Sequence, residues 1–295
     1  MKFLIIIPVH NEENFIISNL KSLLDQNFQD FECVIVNDGS TDNSRQKIET
    51  FIKENGNNDQ FRLINLERSQ HSPGAKVVQT FYKGFATCDL ENFDVVCKFD
   101  ADIIFPPNYL LKLNKIYTND PKAGMVSGLV FINKNENFLD DIFNFKNVED
   151  HWKFENLSSK NHIRGPIKSY RKECFFSMNG LREVLGWDNI DVMLAKKNGW
   201  ETITIKDLWV KHLKPTAFLY QKEKAKKLGI YFYNIGLNFP LASISALKSS
   251  FKDRSFSNFF KILRSFSMQK HERVLSEDEI KFIRNLRWNE VKNKF

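Results

Sequence analysis

The strongest constraint on the fold is the alternation of short apolar segments with amphipathic stretches in the N-terminal third of the chain. The apolar segments occupy residues 2–7, 31–36, 61–66 and 93–99, and each has the length of a single strand. Between them, apolar side chains recur at helical spacing, for example over residues 12–26 and 74–86. Strands that alternate with helices predict a parallel sheet with helices on both faces. We therefore expect a doubly wound α/β fold.

The pattern becomes less regular towards the C-terminus. Three later segments are typical of a strand, of a strand with a turn, and of a helix, at residues 123–132, 165–181 and 188–199. From residue 218 onward the sequence is basic and aromatic and shows little strand pattern. We expect an α/β domain over residues 1–217 and a helical region over residues 218–295.

The charge of the chain limits its partners without choosing one. The 43 basic and 36 acidic residues leave a net charge of +7, which suits nucleic acid, an anionic membrane or a phosphorylated substrate. The four cysteines have no CxxC spacing, which favours reduced thiols over disulfides or a zinc site. The N-terminus lacks the pattern of a signal peptide. We expect a cytoplasmic protein.

Two aspartates directly follow the fourth apolar segment. Asp100 and Asp102 are two positions apart, and residues 105–107 (Phe-Pro-Pro) prevent the strand from continuing. In an open α/β sheet, ligands bind beyond the carboxyl ends of the strands. Carboxylates at that place commonly hold Mg²⁺ together with substrate phosphates. The alternative is a turn in which the two acids cap a following helix.

The first two apolar segments also end in polar residues. The first is followed by Pro-Val-His-Asn-Glu at residues 8–12, which is neither a dinucleotide-binding Gly-x-Gly-x-x-Gly nor a P-loop. The second is followed by Asn-Asp-Gly-Ser-Thr-Asp at residues 37–42. Asp38 in that segment could accept a hydrogen bond from the ring N–H of a base, or could belong to a plain turn.

These three segments, in this order, resemble the family 2 glycosyltransferases of the GT-A fold over about the first 215 residues. The resemblance implies a GT-A type, mostly parallel sheet with a C-terminal helical extension. It assigns the nucleotide-sugar site to Pro8, His10, Glu12, Asp38, Lys76, Asp100 and Ala101. It also implies a Mg²⁺ or Mn²⁺ ion held by Asp100, Asp102 and His212. A single histidine after a strand is otherwise more often structural.

A further segment resembles the acidic acceptor-side motif of the same family. It runs over residues 186–200, but Asn189 stands where the catalytic aspartate is usual. Because an amide cannot accept a proton, the expected base is Asp188, with Asp191 as second choice; Asp188 could instead only cap a helix. The same region supplies three candidates for contacts with the acceptor or the diphosphate, namely Arg164, Arg171 and Trp187.

The resemblance implies inverting transfer of a sugar from a nucleoside-diphosphate sugar, a UDP-sugar by preference. The acceptor would be a hydroxyl of a glycan or of a lipid-linked molecule in cell-surface glycan or polysaccharide synthesis. A nucleotidyltransferase is the alternative enzyme, but it would usually have a Gly-rich, basic loop after the first strand, unlike residues 8–12. A basic nucleic-acid-binding protein would lack the ordered acidic strand ends, so no nucleic-acid partner is expected.

The C-terminal region leaves two interpretations open. Residues 228–247 carry no charge but contain Gly, Asn and Pro, which disfavours a membrane-spanning helix. Phe256, Phe259, Phe260 and Leu263 then recur at helical spacing among basic residues. Such a helix can lie on an anionic membrane, here the inner face of the cytoplasmic membrane. It can equally pack on the catalytic domain with its basic face in solvent.

Overall fold

The computed structural model describes residues 1–55, 60–67, 74–134, 142–146, 148–214 and 223–293, and these ranges contain one large sheet. The strands are β1 (Phe3–Val9), β2 (Phe31–Asp38), β3 (Phe61–Leu66), β4 (Val95–Phe99), β5 (Ile103–Ile104), β6 (Ala123–Asn133), β7 (Trp152–Phe154), β8 (Ile167–Arg171) and β9 (Glu201–His212). The helices are α1 (Ile16–Leu24), α2 (Ser44–Asn55), α3 (Ala75–Phe85), α4 (Tyr109–Asn119), α5 (Val148–His151), α6 (Lys172–Ser177), α7 (Trp187–Lys197), α8 (Lys224–Asn234), α9 (Phe239–Lys252), α10 (Phe256–Ser267) and α11 (Glu277–Lys292). This architecture confirms the predicted α/β class.

The N-terminal half of the sheet is parallel, as the alternating pattern predicts. Its strand order is β3-β2-β1-β4, and every neighbouring pair in it is parallel. All four strands therefore end at the same side of the sheet, which we call the carboxyl edge. Val9 lies opposite Asn37 in the register, so the polar segments that follow β1 and β2 emerge side by side.

The other half of the sheet is mixed and was not specified by the sequence pattern. Strand β8 runs antiparallel to β4, with Ile167 opposite Phe99. Strand β6 is antiparallel to β8 and parallel to β9, and β9 pairs antiparallel with β5, with Ile103 opposite His212. The carboxyl edge consequently receives the beginning of β8 and the end of β9.

The sheet is buried on both faces. Along β1, Leu4 and Ile6 contribute to one hydrophobic cluster, and Ile5 and Ile7 contribute to the cluster on the opposite face. This alternation follows from the two-residue period of a strand. All four side chains are fully buried, and complete burial of such a side chain contributes about 1.5–3 kcal/mol relative to exposure. The sheet is therefore a rigid support for the residues at its carboxyl edge.

The C-terminal helices pack on one face of this sheet. Phe232, Leu241, Ile262 and Ile283 belong to the same hydrophobic cluster as Leu4. The predicted boundary between residues 217 and 218 lies outside the described residues. The charge-free segment of residues 228–247 forms most of α8 and the first part of α9. In the described ranges, no helix combines the length and the apolar character that crossing a membrane requires.

Candidate active site

Acidic side chains converge at the carboxyl edge. Glu12 follows β1, and Asp100 and Asp102 follow β4. Burial raises the pKa of the Glu12 carboxyl, and the nearby charges of Asp102 and Asp100 raise it further against the effect of Lys214. Glu12 Oε1 accepts a hydrogen bond from Lys214 Nζ at 3.0 Å, whereas its buried Oε2 has no hydrogen-bond partner in the described part of the chain. This concentration of negative charge favours a bound cation.

Asp38 is held at the end of β2 by groups from two other elements. It is 6% exposed, and Lys76 Nζ in the first turn of α3 lies 2.9 Å from its Oδ1. Thr80 Oγ1 donates to its Oδ2 at 3.2 Å, and His10 Nδ1 lies 2.8 Å from its backbone oxygen. Three of the predicted nucleotide-site residues, Asp38, Lys76 and His10, are thus brought together. Pro8 is the second-last residue of β1 and therefore lies at the same edge of the sheet.

The turn that carries the two aspartates is fixed by a residue that the sequence analysis did not identify. Asn19 of α1 is fully buried, and its amide nitrogen donates to the backbone oxygens of Asp100, at 3.2 Å, and Ile103, at 2.6 Å. Ala101, inside this turn, is also buried. The available signal was that two polar residues, Asn19 and Ser22, lie on the buried face of an amphipathic helix. Asn19 therefore positions the turn without contacting the cleft itself.

Asp102 and His212 form a pair at the carboxyl edge. The pairing of β5 with β9 brings them together, and His212 Nε2 lies 3.3 Å from Asp102 Oδ2. On the other side of the ring, His212 Nδ1 lies 3.3 Å from Glu155 Oε2. Burial lowers the pKa of His212, but hydrogen bonds to Asp102 and Glu155 outweigh burial and raise it to about 10.

Asp102 of this pair fits a hard divalent cation, whereas His212 would bind the ion only after releasing the proton that its raised pKa retains. Asp102 Oδ1 is buried and accepts no hydrogen bond from any described residue, so a ligand oxygen is already desolvated there. Such an oxygen costs free energy unless a partner is present. The structure contains, among its described residues, no group of three or more His, Cys, Asp or Glu side chains placed to hold a metal. Mg²⁺ needs only one or two carboxylates when substrate phosphates complete its coordination.

A buried ion pair supports His212 from behind. Arg164 Nη2 lies 2.8 Å from Glu155 Oε2, and Arg164 Nη1 donates to the Glu155 backbone oxygen at 3.0 Å. Burial raises the pKa of Glu155, but hydrogen bonds from His212 and Arg164 outweigh it and hold the pKa below its ordinary value. Glu155 is therefore a charged acceptor that orients the imidazole, a role that carboxylates commonly have behind metal-binding histidines. Sequence reasoning missed Glu155 because it lies in the irregular region.

Lys98 was also missed. It precedes Asp100 by two positions in β4, so both side chains lie on the same face, and Lys98 Nζ contacts Asp100 Oδ1. The Lys98 side chain is 3% exposed, and its Nζ lies 5.2 Å from the centroid of the Trp187 ring. The signal in the sequence is a lysine inside an apolar strand. Binding of a metal by Asp100 would require exchange of this contact.

A cleft of about 490 Å³ lies between Asp100 and the first turn of α7. Its lining includes Lys98, Asp100, Arg164, Gly165, Trp187 and Asp188. Gly186 begins α7 with φ 98, a left-handed conformation that favours glycine, and this turn presents Asp188 to the cleft. A Cβ atom on Gly165 would lie 3.3 Å from Asp188 Oδ2, so the aspartate faces the segment that leads into β8.

Two of the predicted site residues lie elsewhere. Asp191 is fully buried; Lys168 Nζ donates to its Oδ1 at 2.9 Å and Tyr170 donates to its Oδ2 at 2.6 Å. Burial raises the pKa of Asp191, although Lys168 and Tyr170 act in the opposite direction. Asp191 does not line the cleft, so the structure does not bring this second-choice base together with Asp188, and its role as a base stays a prediction.

Arg171 is at the opposite end of the sheet from the cleft. It pairs with Val95, the first residue of β4, because β8 runs antiparallel to that strand. Its guanidinium donates to backbone oxygens around the end of α4, including that of Ala123 at 3.0 Å. Arg171 therefore binds the connection that follows α4, and the structure does not bring it together with the residues of the cleft.

The chain belongs to glycosyltransferase family 2, because the model of "Glycosyl transferase family 2" matches residues 4–178. An uncharacterized glycosyltransferase of Nostoc sp. is 33% identical over 140 residues, which cover 48% of this chain and 40% of that protein. The matched region spans less than half of each curated relative.

Solved structures show the same fold. A mannosyltransferase from Pyrobaculum calidifontis in complex with GDP-Man and Mn²⁺ aligns over 100% of this chain and 81% of its own, with a TM-score of 0.59 and 16% identity. Residues 1–349 of S. aureus TarS in complex with UDP-GlcNAc align over 97% of this chain and 83% of TarS, with a TM-score of 0.58 and 18% identity. These likenesses establish the architecture.

Proposed function

We propose that this protein is a metal-dependent, inverting glycosyltransferase that moves a sugar from a nucleoside-diphosphate sugar to a hydroxyl acceptor. The observation that carries the proposal is the arrangement at the carboxyl edge. The desolvated Asp102 Oδ1 lies beside His212, and the adjoining cleft is lined by Asp188. Asp102 and His212 would form the cation site, and Asp188 would be the base in the adjoining cleft. Sugar transfer from a nucleoside diphosphate requires both groups in one site.

Asp38 would recognise the base of the donor. Each carboxylate oxygen has two lone-pair positions, so Asp38 can accept a ring N–H in addition to the contacts from Lys76 and Thr80. Uracil and guanine both offer such a ring N–H. We favour a UDP-sugar, in line with the TarS complex, while the mannosyltransferase complex makes a GDP-sugar the alternative outcome of the test. Family membership disfavours the nucleotidyltransferase alternative.

Asp102, His212 and Asp100 would hold Mg²⁺ or Mn²⁺ against the donor diphosphate. The bound ion would neutralise the negative charge that develops on the leaving group. The Arg164–Glu155 pair orients His212, whereas Asp100 would have to exchange its contact with Lys98 for the ion. An oriented ligand such as His212 reduces the ordering that binding requires.

Asp188 would accept the proton of the acceptor hydroxyl. It is partly exposed at the first turn of α7, and its backbone oxygen accepts a hydrogen bond from Lys168 at 2.6 Å. Attack on the face of the sugar opposite the diphosphate inverts the anomeric centre. A positioned general base contributes about 10²–10⁴-fold to such a step. Trp187 and Arg164 also line the cleft and are proposed to contact the acceptor or the diphosphate.

The acceptor is proposed to be a glycan or a lipid-linked molecule used in cell-surface glycan or polysaccharide synthesis. With a nucleotide sugar as donor, the reaction is assigned to the cytoplasm. A lipid-linked acceptor would place it at the inner face of the cytoplasmic membrane.

Ligand-induced thermal stabilisation tests the donor proposal directly. The full chain is melted with UDP, GDP, ADP and CDP, each with and without Mn²⁺. Ligand that binds only the folded state raises the melting temperature. We expect the largest shift with one nucleoside diphosphate plus Mn²⁺, UDP being favoured, and release of that nucleoside diphosphate from the matching nucleotide sugar. Equal shifts with and without Mn²⁺, or release of pyrophosphate, would overturn the proposal.

A further inference from the structure

The turn between α9 and α10 exposes three large aromatic side chains. Phe251, in the last turn of α9, is 72% exposed, and Phe256 and Phe260, in α10, are 64% and 61% exposed. The ring centroids of Phe256 and Phe260 are 5.6 Å apart. Only residues 253–255 separate the two helices, so the three rings lie around one turn. We call these three residues the aromatic tip.

Apolar exposure continues along α9 behind the tip. Ile244 and Leu247 precede Phe251 by seven and four positions, so the three lie on one side of the helix, and both are more than a third exposed. The opposite side, with Ala242 and Ala246, is fully buried in the protein. The helix is therefore apolar on both its inner and its outer face. An outer apolar face of this kind marks an interaction site.

The surroundings of the tip are basic. Between residues 235 and 271, Asp253 is the only acidic residue, whereas the basic residues are Lys248, Lys252, Arg254, Lys261, Arg264 and Lys270. Asp253 Oδ1 lies 2.6 Å from Lys224 Nζ, so its charge is already paired. Lys252, Arg254 and Lys261, which are neighbours of the aromatic tip in the sequence, are all exposed.

This mixture of side chains favours one kind of partner. The centre of a protein–protein interface is depleted of charged residues, whereas here lysine and arginine alternate with the exposed phenylalanines. Aromatic residues that insert below the headgroups, with cations that meet anionic headgroups, are typical of a peripheral membrane helix. We propose that the aromatic tip docks on an anionic phospholipid surface, with Lys252, Arg254 and Lys261 at the headgroups.

Hydrogen bonds connect the helix that carries part of the aromatic tip to the wall of the cleft. Ser265 of α10 donates to the backbone oxygen of Lys226 in α8 at 2.8 Å. Asn234 of α8 donates at 3.0 Å to the backbone oxygen of Leu185, which lines the cleft. Docking through the tip would thus fix the cleft relative to the bilayer. The use of this arrangement for a lipid-linked acceptor rests on the proposed function; the docking itself does not.

Cosedimentation of the full chain with vesicles tests the proposal. We expect binding to vesicles that contain phosphatidylglycerol, little binding to pure phosphatidylcholine, and release at high salt. The variant F251S/F256S/F260S is expected to lose at least about tenfold in binding, because the rings supply the inserted area. The variant K252Q/K261Q keeps every apolar contact, and at about 1 kcal/mol per charge it is expected to lose about thirtyfold.

Matched controls use exposed residues away from the C-terminal helices. Phe176 of α6 is 48% exposed, and Lys53 of α2 is exposed, so F176S and K53Q test the same exchanges elsewhere. Unchanged melting temperatures would show that each variant folds. Vesicle binding by F251S/F256S/F260S equal to that of the unaltered chain, or no binding of the unaltered chain to anionic vesicles, would overturn the proposal.

The same variants distinguish a second copy of the chain from a membrane. If the tip is a dimer interface, sedimentation velocity will show an oligomer that F251S/F256S/F260S dissociates, without vesicle binding, and the lipid proposal fails. Vesicle binding is measured without a nucleotide sugar. Its failure therefore leaves the proposed transferase untouched, and failure of the Mn²⁺-dependent nucleotide shift leaves the docking surface untouched.

Discussion

The two halves of the site are built by different kinds of strand pairing. On the donor side, Asp38 ends a strand of the parallel half of the sheet, and Glu12 and Asp102 follow such strands after a few residues. The beginning of β8 and the end of β9 bring Arg164, on the acceptor side, and His212, beside Asp102, to the same edge through antiparallel pairs. Parallel strands all end at the carboxyl edge, so the residues at their ends meet there, whereas an antiparallel neighbour brings its beginning to that edge instead. The donor side can therefore be predicted from the strand ends alone, and the residues from the antiparallel pairs cannot.

The most damaging change should fall on the donor side. We expect Asp102→Asn to reduce sugar transfer by about 10³-fold or more, because a metal contributes several kcal/mol of transition-state stabilisation. The same variant should lose the Mn²⁺-dependent thermal shift with the nucleoside diphosphate. Asp30→Asn, an exposed aspartate before β2 at the opposite edge, is the matched control. Turnover by Asp102→Asn close to that of Asp30→Asn would remove the metal from the mechanism.

On the acceptor side, Asp188→Asn should separate chemistry from donor binding. We expect kcat to fall by about 10²–10⁴-fold, since the amide cannot accept the proton of the acceptor hydroxyl. The Mn²⁺-dependent thermal shift with the nucleoside diphosphate should stay unchanged, because Asp188 is not one of the proposed metal ligands. A loss of that shift equal to the one expected for Asp102→Asn would contradict the division between the two sides.

The direction of each strand explains which site residues could be predicted from the sequence. Asp100 and Asp102 follow a parallel strand, and a parallel strand always ends at the ligand-binding edge. Strand β8 runs the other way, so its beginning faces the cleft, and Arg171 at its end does not. The apolar pattern reveals that β8 exists, but it carries no information about direction. For the same reason Glu155, 57 positions from its partner His212, could not be identified before the strand order was known.

The free energy of unfolding tests whether Asp191, unlike Asp188, has a structural role. Asp191→Asn should lower the free energy of unfolding by about 3–5 kcal/mol, because it leaves the fully buried Lys168 without its counter-charge. Chemical denaturation measures the change, and Asp188→Asn, three positions away at the cleft, is the control that should unfold near the unaltered midpoint. A stable but inactive Asp191→Asn protein would instead favour Asp191 as the base.

The smallest expected effect tests whether Glu155 positions His212, which is proposed as a metal ligand. Glu155 does not itself line the cleft; it contacts His212 from behind and pairs with Arg164, which does line the cleft, so it acts through these two side chains. Glu155→Gln keeps the size of the side chain but removes the charge that orients the ring and pairs with Arg164. Loss of such a supporting group typically lowers metal affinity about 10–100-fold. We therefore expect a higher Mn²⁺ concentration at half-maximal transfer, with kcat at saturating Mn²⁺ close to that of the exposed control Glu149→Gln. If Glu155 had only a structural role, Glu155→Gln would lower the midpoint of unfolding. The Mn²⁺ concentration at half-maximal transfer by the folded protein would then stay unchanged.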